Sequence, residues 1–422
     1  MLRYNKIKLD NGVRLISAPL ENTRAFTAMV YIGTGSRYEE KRISGISHFF
    51  EHVLFKGTSR YPTANHISEA IDSVGGFQNA FTSKDQTAYY ITVPDNHYEL
   101  ALDILSDMIA HPLLDEQEFE REKNVILEEI NMYLDTPSSH IGDLFEEVAF
   151  GDVPLGWHII GYPETVLKIN RNDLMAYLQK QYVGSNIVVA IAGSVTDDVI
   201  LKAQNYFSGI VAGNPYQPLP YLGNIASLKR IIHYKKTDQA HLAIGFEAPG
   251  RNNESRWVCD VLTAILGAGS SSRLFKEIRE KRGLAYYVGA NYDDYTETGL
   301  VSAFAGLDVK RIDEAISVIL KEIARLRDEK VLDKELVKIK EMFKGRLLLS
   351  LESSHSIADF LARREILENT ILTPEEILEK IDKVTADEIQ ELAQNLFRQD
   401  KLIFAVIGPF EDPAKFETLL NI

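Results

Sequence analysis

The spacing of apolar positions along the chain predicts alternating strands and helices. Segments on both sides of Asn11-Gly12 alternate apolar and polar residues, which is typical of a β-hairpin. Other segments carry apolar residues three and four positions apart, which predicts helices buried on one face. The predicted strands are Lys6–Leu9, Val13–Ser17, Phe26–Thr34, Phe77–Ser83, Thr87–Val93 and Asn186–Gly193. The predicted helices span about 44–55, 64–74, 98–109, 115–134, 139–150 and 164–181, with another after Thr196.

The second half of the chain repeats the pattern of the first half. The strand Asn186–Gly193 returns as Lys401–Gly408, 215 positions later. Pro163-Glu164 before a helix returns as Pro374-Glu375, 211 positions later. Ordered matches at a nearly constant spacing indicate an internal duplication. We therefore expect an α+β fold of two duplicated domains, each an antiparallel-rich mixed β-sheet packed with helices.

A proline-rich segment separates the two copies. Pro215, Pro218 and Pro220 lie within six positions, which favours extended backbone over helix. The expected organisation is an N-terminal domain at 1–212, a linker at 213–224 and a C-terminal duplicated domain at 225–422.

Composition and charge narrow the class of protein. The 422 residues carry a formal charge of −15, from 46 Lys and Arg against 61 Asp and Glu, so a nucleic-acid surface is not expected. No apolar run reaches the roughly 20 residues of a membrane span, and the N-terminus lacks the apolar core of a secretory signal. We therefore expect a cytoplasmic protein without a membrane partner. The single cysteine, Cys259, has apolar neighbours and is interpreted as a buried structural thiol.

The chemical motif of the first copy is His48-x-x-Glu51-His52, within the predicted helix at 44–55. Residues four apart lie on one side of a helix, about 6 Å apart along its axis, so both imidazoles can reach one metal ion. Glu51 projects from the same side, where a carboxylate can take a proton from a water molecule. The alternative is that both histidines are core residues with ordinary hydrogen-bond partners.

The second copy lacks this motif. At an offset of 213 to 215 positions the motif falls on Val261–Gly267, which contains no His, Asp or Glu. The second copy is therefore expected to keep the scaffold without the ligands. A purely structural role for His48 and His52 would not predict that loss so directly.

A long acidic helix in the first copy offers a further ligand. Glu122 and Glu129 stand seven positions apart on the predicted helix at 115–134, so they share a face. Glu129 borders apolar Ile126 and Ile130, near the edge of the buried side. For the helix taken by itself, a solvated acidic face is the alternative interpretation.

The His-x-x-Glu-His motif, followed 77 positions after His52 by a glutamate in the sequence Val-Ile-Leu-x-Glu, resembles the inverted-motif zinc metallopeptidases of family M16. This family includes the mitochondrial processing peptidases, pitrilysin and insulin-degrading enzyme. The resemblance covers nearly the whole chain and implies one zinc ion per chain. It implies His48, His52 and Glu129 as ligands, with Glu128 as the alternative to Glu129.

The same resemblance implies roles for other residues of the first copy. Glu51 would be the general base, and Glu122 would be an acidic residue that supports the ligands. Asn79 and Ala80 match positions that contact the substrate backbone on an edge strand, and Phe81, the next residue of that strand, is expected to bind substrate with them. An extended peptide can add to such an edge through main-chain hydrogen bonds. The alternative for this segment is a plain strand.

In the second copy, Arg279 and Tyr286 resemble the family's Arg-seven-Tyr element, which binds substrate and polarises the scissile carbonyl. An Arg donor and a Tyr hydroxyl suit that role. The alternative is a salt-bridged helix end and a core tyrosine. Relatives often carry a histidine before Pro-Leu-Gly, where this chain has Val153.

The function implied by the resemblance is a zinc-dependent endopeptidase that hydrolyses short or unfolded peptides inside a dimer chamber. Half-length relatives pair, so the expected partners are peptide substrates and a second copy of the chain, or a related subunit in a heterodimer. Arg279 and Tyr286 would then act on the zinc site of the other subunit. The alternative is a non-catalytic subunit or peptide-binding partner of a related peptidase complex, which would have no need of a complete set of ligands and base.

Overall fold

The first two strands form the antiparallel hairpin that the sequence predicts around Asn11-Gly12. The structure is a computed structural model and describes residues 2–218, 220, 221, 223 and 229–422. Residues 219, 222 and 224 of the predicted linker lie outside these described residues.

In the first half of the chain the strands and helices follow the predicted order, except that one predicted helix is divided in two. The strands are β1 Asn5–Lys8, β2 Arg14–Pro19, β3 Ala25–Ile32, β4 Phe77–Thr82, β5 Thr87–Pro94, β6 Ile187–Gly193, β7 Lys229–Tyr234, β8 Gln239–Pro249, β9 Ala285–Asp294, β10 Thr298–Asp308 and β11 Leu402–Gly408. The helices are α1 Ile46–Val53, α2 Ala64–Asp72, α3 Tyr98–Ala110, α4 Glu116–Asp135, α5 Pro137–Phe150, α6 Pro163–Val166, α7 Arg171–Gln181, α8 Asp197–Phe207, α9 Arg256–Gly267, α10 Ile312–Asp328, α11 Asp333–Ser350, α12 Ser354–Glu368, α13 Pro374–Lys383 and α14 Ala386–Leu396.

Two sheets share one strand arrangement. The first sheet has the order β1-β2-β6-β3-β5-β4, and the second has the order β7-β11-β8-β10-β9. Each contains one parallel pair, β2 with β6 and β7 with β11, while the other neighbours are antiparallel. The order β2-β6-β3-β5-β4 thus returns as β7-β11-β8-β10-β9. This confirms the α+β class with duplicated, antiparallel-rich mixed sheets.

The chain forms two compact units, each built from both halves of the sequence. The first unit comprises Met1–Asn131, Trp157–Leu219 and Leu347–Glu375, and the second comprises Met132–Gly156, Pro220–Arg346 and Glu376–Ile422. In the first unit, Ile357 and Leu361 of α12 pack on the first sheet. In the second unit, Ile141 and Leu144 of α5 pack on the second sheet. The predicted domain boundaries follow chain order and stay a prediction.

The helix that carries the histidine motif is buried against the first sheet. Phe49 and Phe50 of α1 are fully buried in one cluster with Val30 of β3 and Tyr89 of β5. Burial of such side chains stabilises the contact by about 2 kcal/mol each. Because α12 covers the opposite face of this sheet, the sheet is packed on both sides and holds α1 in place.

The predicted helix at 164–181 is wrong as a single element. The structure divides it into α6 and α7, because the Asn170 side chain accepts hydrogen bonds from the backbone N–H groups of Asn172 and Asp173 and starts a new helix. Apolar spacing continues through the break, so periodicity alone does not show it. The capping pair Asn170 and Asp173 is the signal that could have found it.

Two predictions about the rest of the chain are also addressed by the structure. Cys259 is buried, as expected, and burial raises the pKa of its thiol to about 12. Among the described residues, no helix combines the length and apolar surface that crossing a membrane requires.

The break between α6 and α7 leads to a testable prediction. Replacing Asn170 with Ala removes the cap of α7 and should lower the free energy of unfolding by about 1 kcal/mol. Asn172→Ala is the control, because the Asn172 side chain has no capping bond, and it should change stability by less than about 0.5 kcal/mol. Urea unfolding of the metal-free protein measures both. Equal losses in the two variants would contradict the capping role.

Candidate metal centre

The first turn of α1 is held by the side chain of Glu39, a residue that the sequence did not indicate. The Glu39 carboxylate accepts hydrogen bonds from the N–H of Gly45 at 2.7 Å and of Ser47 at 2.8 Å. Gly45 itself has a φ of +96°, and a Cβ there would lie 2.7 Å from the Ile160 carbonyl oxygen. Only glycine therefore fits at the start of this helix, and glycine has no side chain that could provide a cap. The buried carboxylate provides the cap instead.

Two helices bring three ligand-type residues together. On α1 the His48 and His52 rings lie side by side, with centroids 4.7 Å apart. Glu129 Oε2 on α4 lies 3.3 Å from His52 Nε2 and 3.7 Å from His48 Nε2. One possible ligand atom from each of the three lies within 4.8 Å of the others, and the described part of the chain contains no second such group. The structure thus assembles the predicted set with Glu129 rather than Glu128.

Glu122 fixes the orientation of one histidine. Its Oε1 lies 2.9 Å from His52 Nδ1, and its Oε2 accepts a hydrogen bond from Lys56 Nζ at 2.7 Å. The Glu122 side chain is almost fully buried; burial alone would raise its pKa, but the bonds from His52 and Lys56 outweigh burial and lower it. Because Nδ1 is engaged by Glu122, Nε2 of His52 faces Glu129.

The charge state of the two histidines differs in the metal-free protein. Burial, followed by the neighbouring His52, holds the pKa of His48 well below its usual value, so His48 is neutral. Burial would also lower the pKa of His52, but the hydrogen bonds to Glu122 and Glu129 raise it overall. In the metal-free protein His52 therefore carries the positive charge that lies between Glu122 and Glu129.

These residues fit a zinc ion by their chemistry. Zinc prefers imidazole nitrogen and carboxylate oxygen, and catalytic sites commonly use three protein ligands. His48, His52 and Glu129 supply two nitrogens and a carboxylate. His48 Nδ1 is buried and has no hydrogen-bond partner among the described residues, so a protonated His48 would gain nothing on that side. His48 would therefore be held more favourably as a neutral ligand through Nε2, and His52, whose Nδ1 is engaged by Glu122, would present its Nε2 to the same ion.

Glu51 lies beside this set without belonging to it. Its Oε2 accepts a hydrogen bond from the Thr82 hydroxyl at 2.6 Å, and its Oε1 accepts none from a described residue. Burial raises the pKa of Glu51 above its usual value, although the Thr82 bond works in the opposite direction. A carboxylate with a raised pKa is suited to accepting and returning a proton near neutral pH.

The predicted substrate strand is the edge of the first sheet. β4 pairs with β5 and has no strand on its other side among the described residues. Strand alternation places Ala80 and Thr82 on the face that packs towards α1, whereas the Phe81 ring contacts Tyr31 on the face that α12 covers. The Asn79 side-chain oxygen accepts the Ala80 N–H at 2.9 Å. The edge-strand expectation is confirmed, and substrate contacts stay a prediction.

The predicted Arg-seven-Tyr element lies in the second unit. The Arg279 guanidinium stacks over the Phe275 ring at 5.2 Å, and Tyr286, near the start of the edge strand β9, is 75% exposed. Tyr286 is therefore not a core residue. Val153 packs beside an apolar cluster of the same unit. The structure does not join Arg279 or Tyr286 to the three ligand-type residues, and their role stays a prediction.

Sequence reasoning missed three contributors to the site. Glu39 lies in a polar segment and caps a helix six to eight residues later, so no spacing rule indicates it. Thr82 touches Glu51 through the fold alone. Lys56 stands four residues after His52, and that helical spacing is a signal that could have found it.

The fold and this donor set are those of a known peptidase family. Residues 14–162 match the family model described as "Insulinase (Peptidase family M16)". Residues 168–343 match the family model described as "Peptidase M16 inactive domain". The chain belongs to peptidase family M16. The second name agrees with the absence of the motif at the corresponding positions of the second copy.

Relatives support this assignment over the whole chain. The uncharacterized zinc protease YmxG of Bacillus subtilis is 36% identical over 402 residues, covering 95% of this chain and 97% of its own. An uncharacterized zinc protease of Rickettsia felis is 32% identical over 410 residues, covering 96% and 98%. The crystal structure of a protease from Helicobacter pylori has the same fold, with a TM-score of 0.90 at 22% identity, over 97% of this chain and 100% of that chain.

The cap on α1 predicts a pH dependence of stability. Burial raises the pKa of Glu39 from 4.5 to about 8, although its bonds at the helix start favour the ionised form. A carboxyl with a higher pKa in the folded chain stabilises the fold at low pH, and this contribution is lost as pH rises from about 4.5 to about 8. Glu39→Gln removes the titration, so its free energy of unfolding should fall less steeply over this range than that of the wild type.

The slopes of the free energy of unfolding against pH should differ between Glu39→Gln and the wild type by up to about 1.4 kcal/mol per pH unit. Urea unfolding of the chelator-treated proteins at several pH values measures the two slopes. Other titratable groups contribute equally to both proteins, so their effect cancels in the comparison. Glu40→Gln, at the exposed neighbouring position, is the control and should follow the wild type. Parallel curves for Glu39→Gln and wild type would show that Glu39 does not titrate in this range.

Proposed function

We propose that this chain is a zinc endopeptidase that hydrolyses short or unfolded peptides. The observation that carries the proposal is the convergence of His48, His52 and Glu129, with the Glu51 carboxylate beside them. When bound, zinc supplies a Lewis acid that polarises the scissile carbonyl and makes water more acidic. A non-catalytic subunit would have no use for this complete arrangement.

Glu51 performs the proton transfers in this proposal. The Thr82 hydroxyl holds Oε2, which leaves Oε1 to accept a proton from the attacking water. The same carboxyl then returns the proton to the nitrogen of the leaving amine. Its raised pKa supports both steps, because the group must be a base first and an acid afterwards.

The edge strand β4 binds the substrate in this proposal. An extended peptide pairs with its open side through main-chain hydrogen bonds, and alternate side chains face α1. Thr82, at the end of β4, contacts Glu51, so a paired peptide reaches the catalytic carboxylate. A folded protein has no free extended segment to offer, which restricts substrates to short or unfolded peptides.

We further propose that the active form is a dimer, preferably of two identical chains. In such a dimer Arg279 and Tyr286 of one subunit bind substrate and polarise its carbonyl at the zinc site of the other. The exposure of Tyr286 is compatible with this role, since a buried ring could not reach a substrate.

The proposed roles predict three different outcomes for three similar substitutions. Glu129→Gln should abolish stoichiometric zinc binding and cleavage of a quenched peptide. Glu51→Gln should retain zinc but lose cleavage by about 10²–10⁴-fold, because only the proton transfer is removed. Glu128→Gln is the matched control and should retain both, since Glu128 is exposed and outside the ligand set. Metal analysis and a peptidase assay measure the two properties.

Wild-type protein that holds much less than one zinc per chain and shows no chelator-sensitive cleavage would contradict the enzyme hypothesis. Zinc binding without cleavage of any peptide in a proteome-derived library would favour the non-catalytic subunit instead.

The dimer is tested by mixing two inactive proteins. Glu51→Gln and Arg279→Ala homodimers should each be inactive. Subunit exchange should restore about a quarter of wild-type activity, because half of the chains form mixed dimers that contain one intact composite site. Unmixed proteins carried through the same exchange procedure are the control. No recovery, despite exchange shown by mass spectrometry, would rule out action between subunits.

A further inference from the structure

We infer that Lys56 is a positioning residue of the metal centre, which holds Glu122 in the orientation that presents His52 Nε2 to the metal. The inference rests on the proposed zinc site and adds a residue to it. Lys56 contacts no ligand directly and acts through Glu122.

The contacts form a chain of three side chains. Lys56 lies one turn beyond His52, in the short 3₁₀ turn Leu54–Lys56 that continues α1. Its Nζ donates a hydrogen bond to Glu122 Oε2 at 2.7 Å, while Glu122 Oε1 lies 2.9 Å from His52 Nδ1. Each oxygen of Glu122 is thus engaged by a different residue of the same helical segment. Rotation of the carboxylate would break both contacts.

Charge makes Lys56 more important when a metal is bound. The Glu122 side chain is only 4% exposed, and a buried carboxylate is costly without a cationic partner. A histidine that ligates a metal through Nε2 is neutral, so His52 then donates a hydrogen bond but brings no charge. Lys56 is the lysine that remains to neutralise Glu122.

No other described cation replaces Lys56 at Glu122. The neighbouring Lys123 donates to Glu120 and to the Leu167 carbonyl, and Arg121 pairs with Glu118. Loss of Lys56 would therefore leave a buried carboxylate without a positive neighbour, and the orientation of His52 would depend on one bond.

Lys56 is also accessible, which allows a chemical test. Its side chain is 29% exposed and lines a cavity of about 840 Å³ in the first unit, bordered by Pro62, Leu113 and Arg121. A small alkylammonium ion is much smaller than this cavity. It can therefore reach Glu122 from the cavity when the lysine side chain is truncated.

The experiment measures zinc affinity by competition with a fluorescent chelator. Lys56→Met should weaken zinc binding by about 10–100-fold, the range for lost support of a metal ligand. Lys202→Met is the matched control, because Lys202 is similarly half-exposed and pairs with Glu99 elsewhere in the first unit. It should leave zinc affinity unchanged. Thermal unfolding of the chelator-treated proteins verifies that each variant is folded.

Chemical rescue distinguishes the loss of the Glu122 orientation from general damage to the fold. In Lys56→Ala, ethylammonium chloride should restore zinc affinity in a saturable manner, whereas the wild type and Lys202→Ala should show no such response. Sodium chloride at equal ionic strength is the control for screening. A folded Lys56→Ala protein with weak zinc binding and no rescue would overturn the inference.

A double-mutant cycle tests whether Lys56 acts through Glu122. The double variant Lys56→Met/Glu122→Gln should bind zinc as Glu122→Gln does, because the interaction is already lost. Additive losses, or unchanged affinity in Lys56→Met, would overturn the inference while the zinc site itself stands. Wild-type protein that binds no zinc would instead refute the proposed function, so the two failures are distinguishable.

Discussion

The arrangement of the metal centre depends on the burial of α1 against the first sheet. A helix of eight residues is too short to persist by itself, so tertiary contacts hold it. Phe49, Phe50 and Val53 fix one face on the sheet. The other face must then present His48, Glu51 and His52 together, since their spacing follows the helical period. The buried Glu39 carboxylate sets where the helix begins, and the position of the histidines along the sheet follows from that.

Sequence reasoning succeeded where the information is local. The spacing of His48 and His52 within one helix and the alternation in β4 and β5 each follow from a single segment, and the structure confirms these elements. The proximity of Glu129 requires two helices to pack in one register, which spacing cannot supply; the family resemblance supplied it. Glu39 could not be found because its partners are backbone N–H groups, which carry no residue-specific signal.

The two copies of the duplicated fold differ in the helix that follows the corresponding strand, because α1 of the first copy carries two of the three ligand-type residues that converge. α9 follows β8 as α1 follows β3, but its inward residues Val261, Leu262 and Ile265 are apolar and buried at 1% exposure or less. A second metal site would need polar groups in that position. Periodicity predicts α5 as a helix with an apolar face but does not tell which sheet it covers, and the same limit applies to the apolar face of α12. The exchange of these helices between the units is therefore visible only in the structure.

The open edge of β4 exposes the chain to unwanted pairing, but the proposed peptide binding requires it. Unpaired strand edges invite pairing with other chains, and proteins usually protect them. Here the Asn79 side chain accepts the Ala80 N–H, so at this position a local hydrogen bond covers a donor without closing the edge. A peptide carbonyl can replace the amide oxygen at little cost, since one neutral hydrogen bond is exchanged for another. The backbone of β4 is thus partly satisfied when free and still available to an extended chain, which is what the proposed peptide binding beside Glu51 needs.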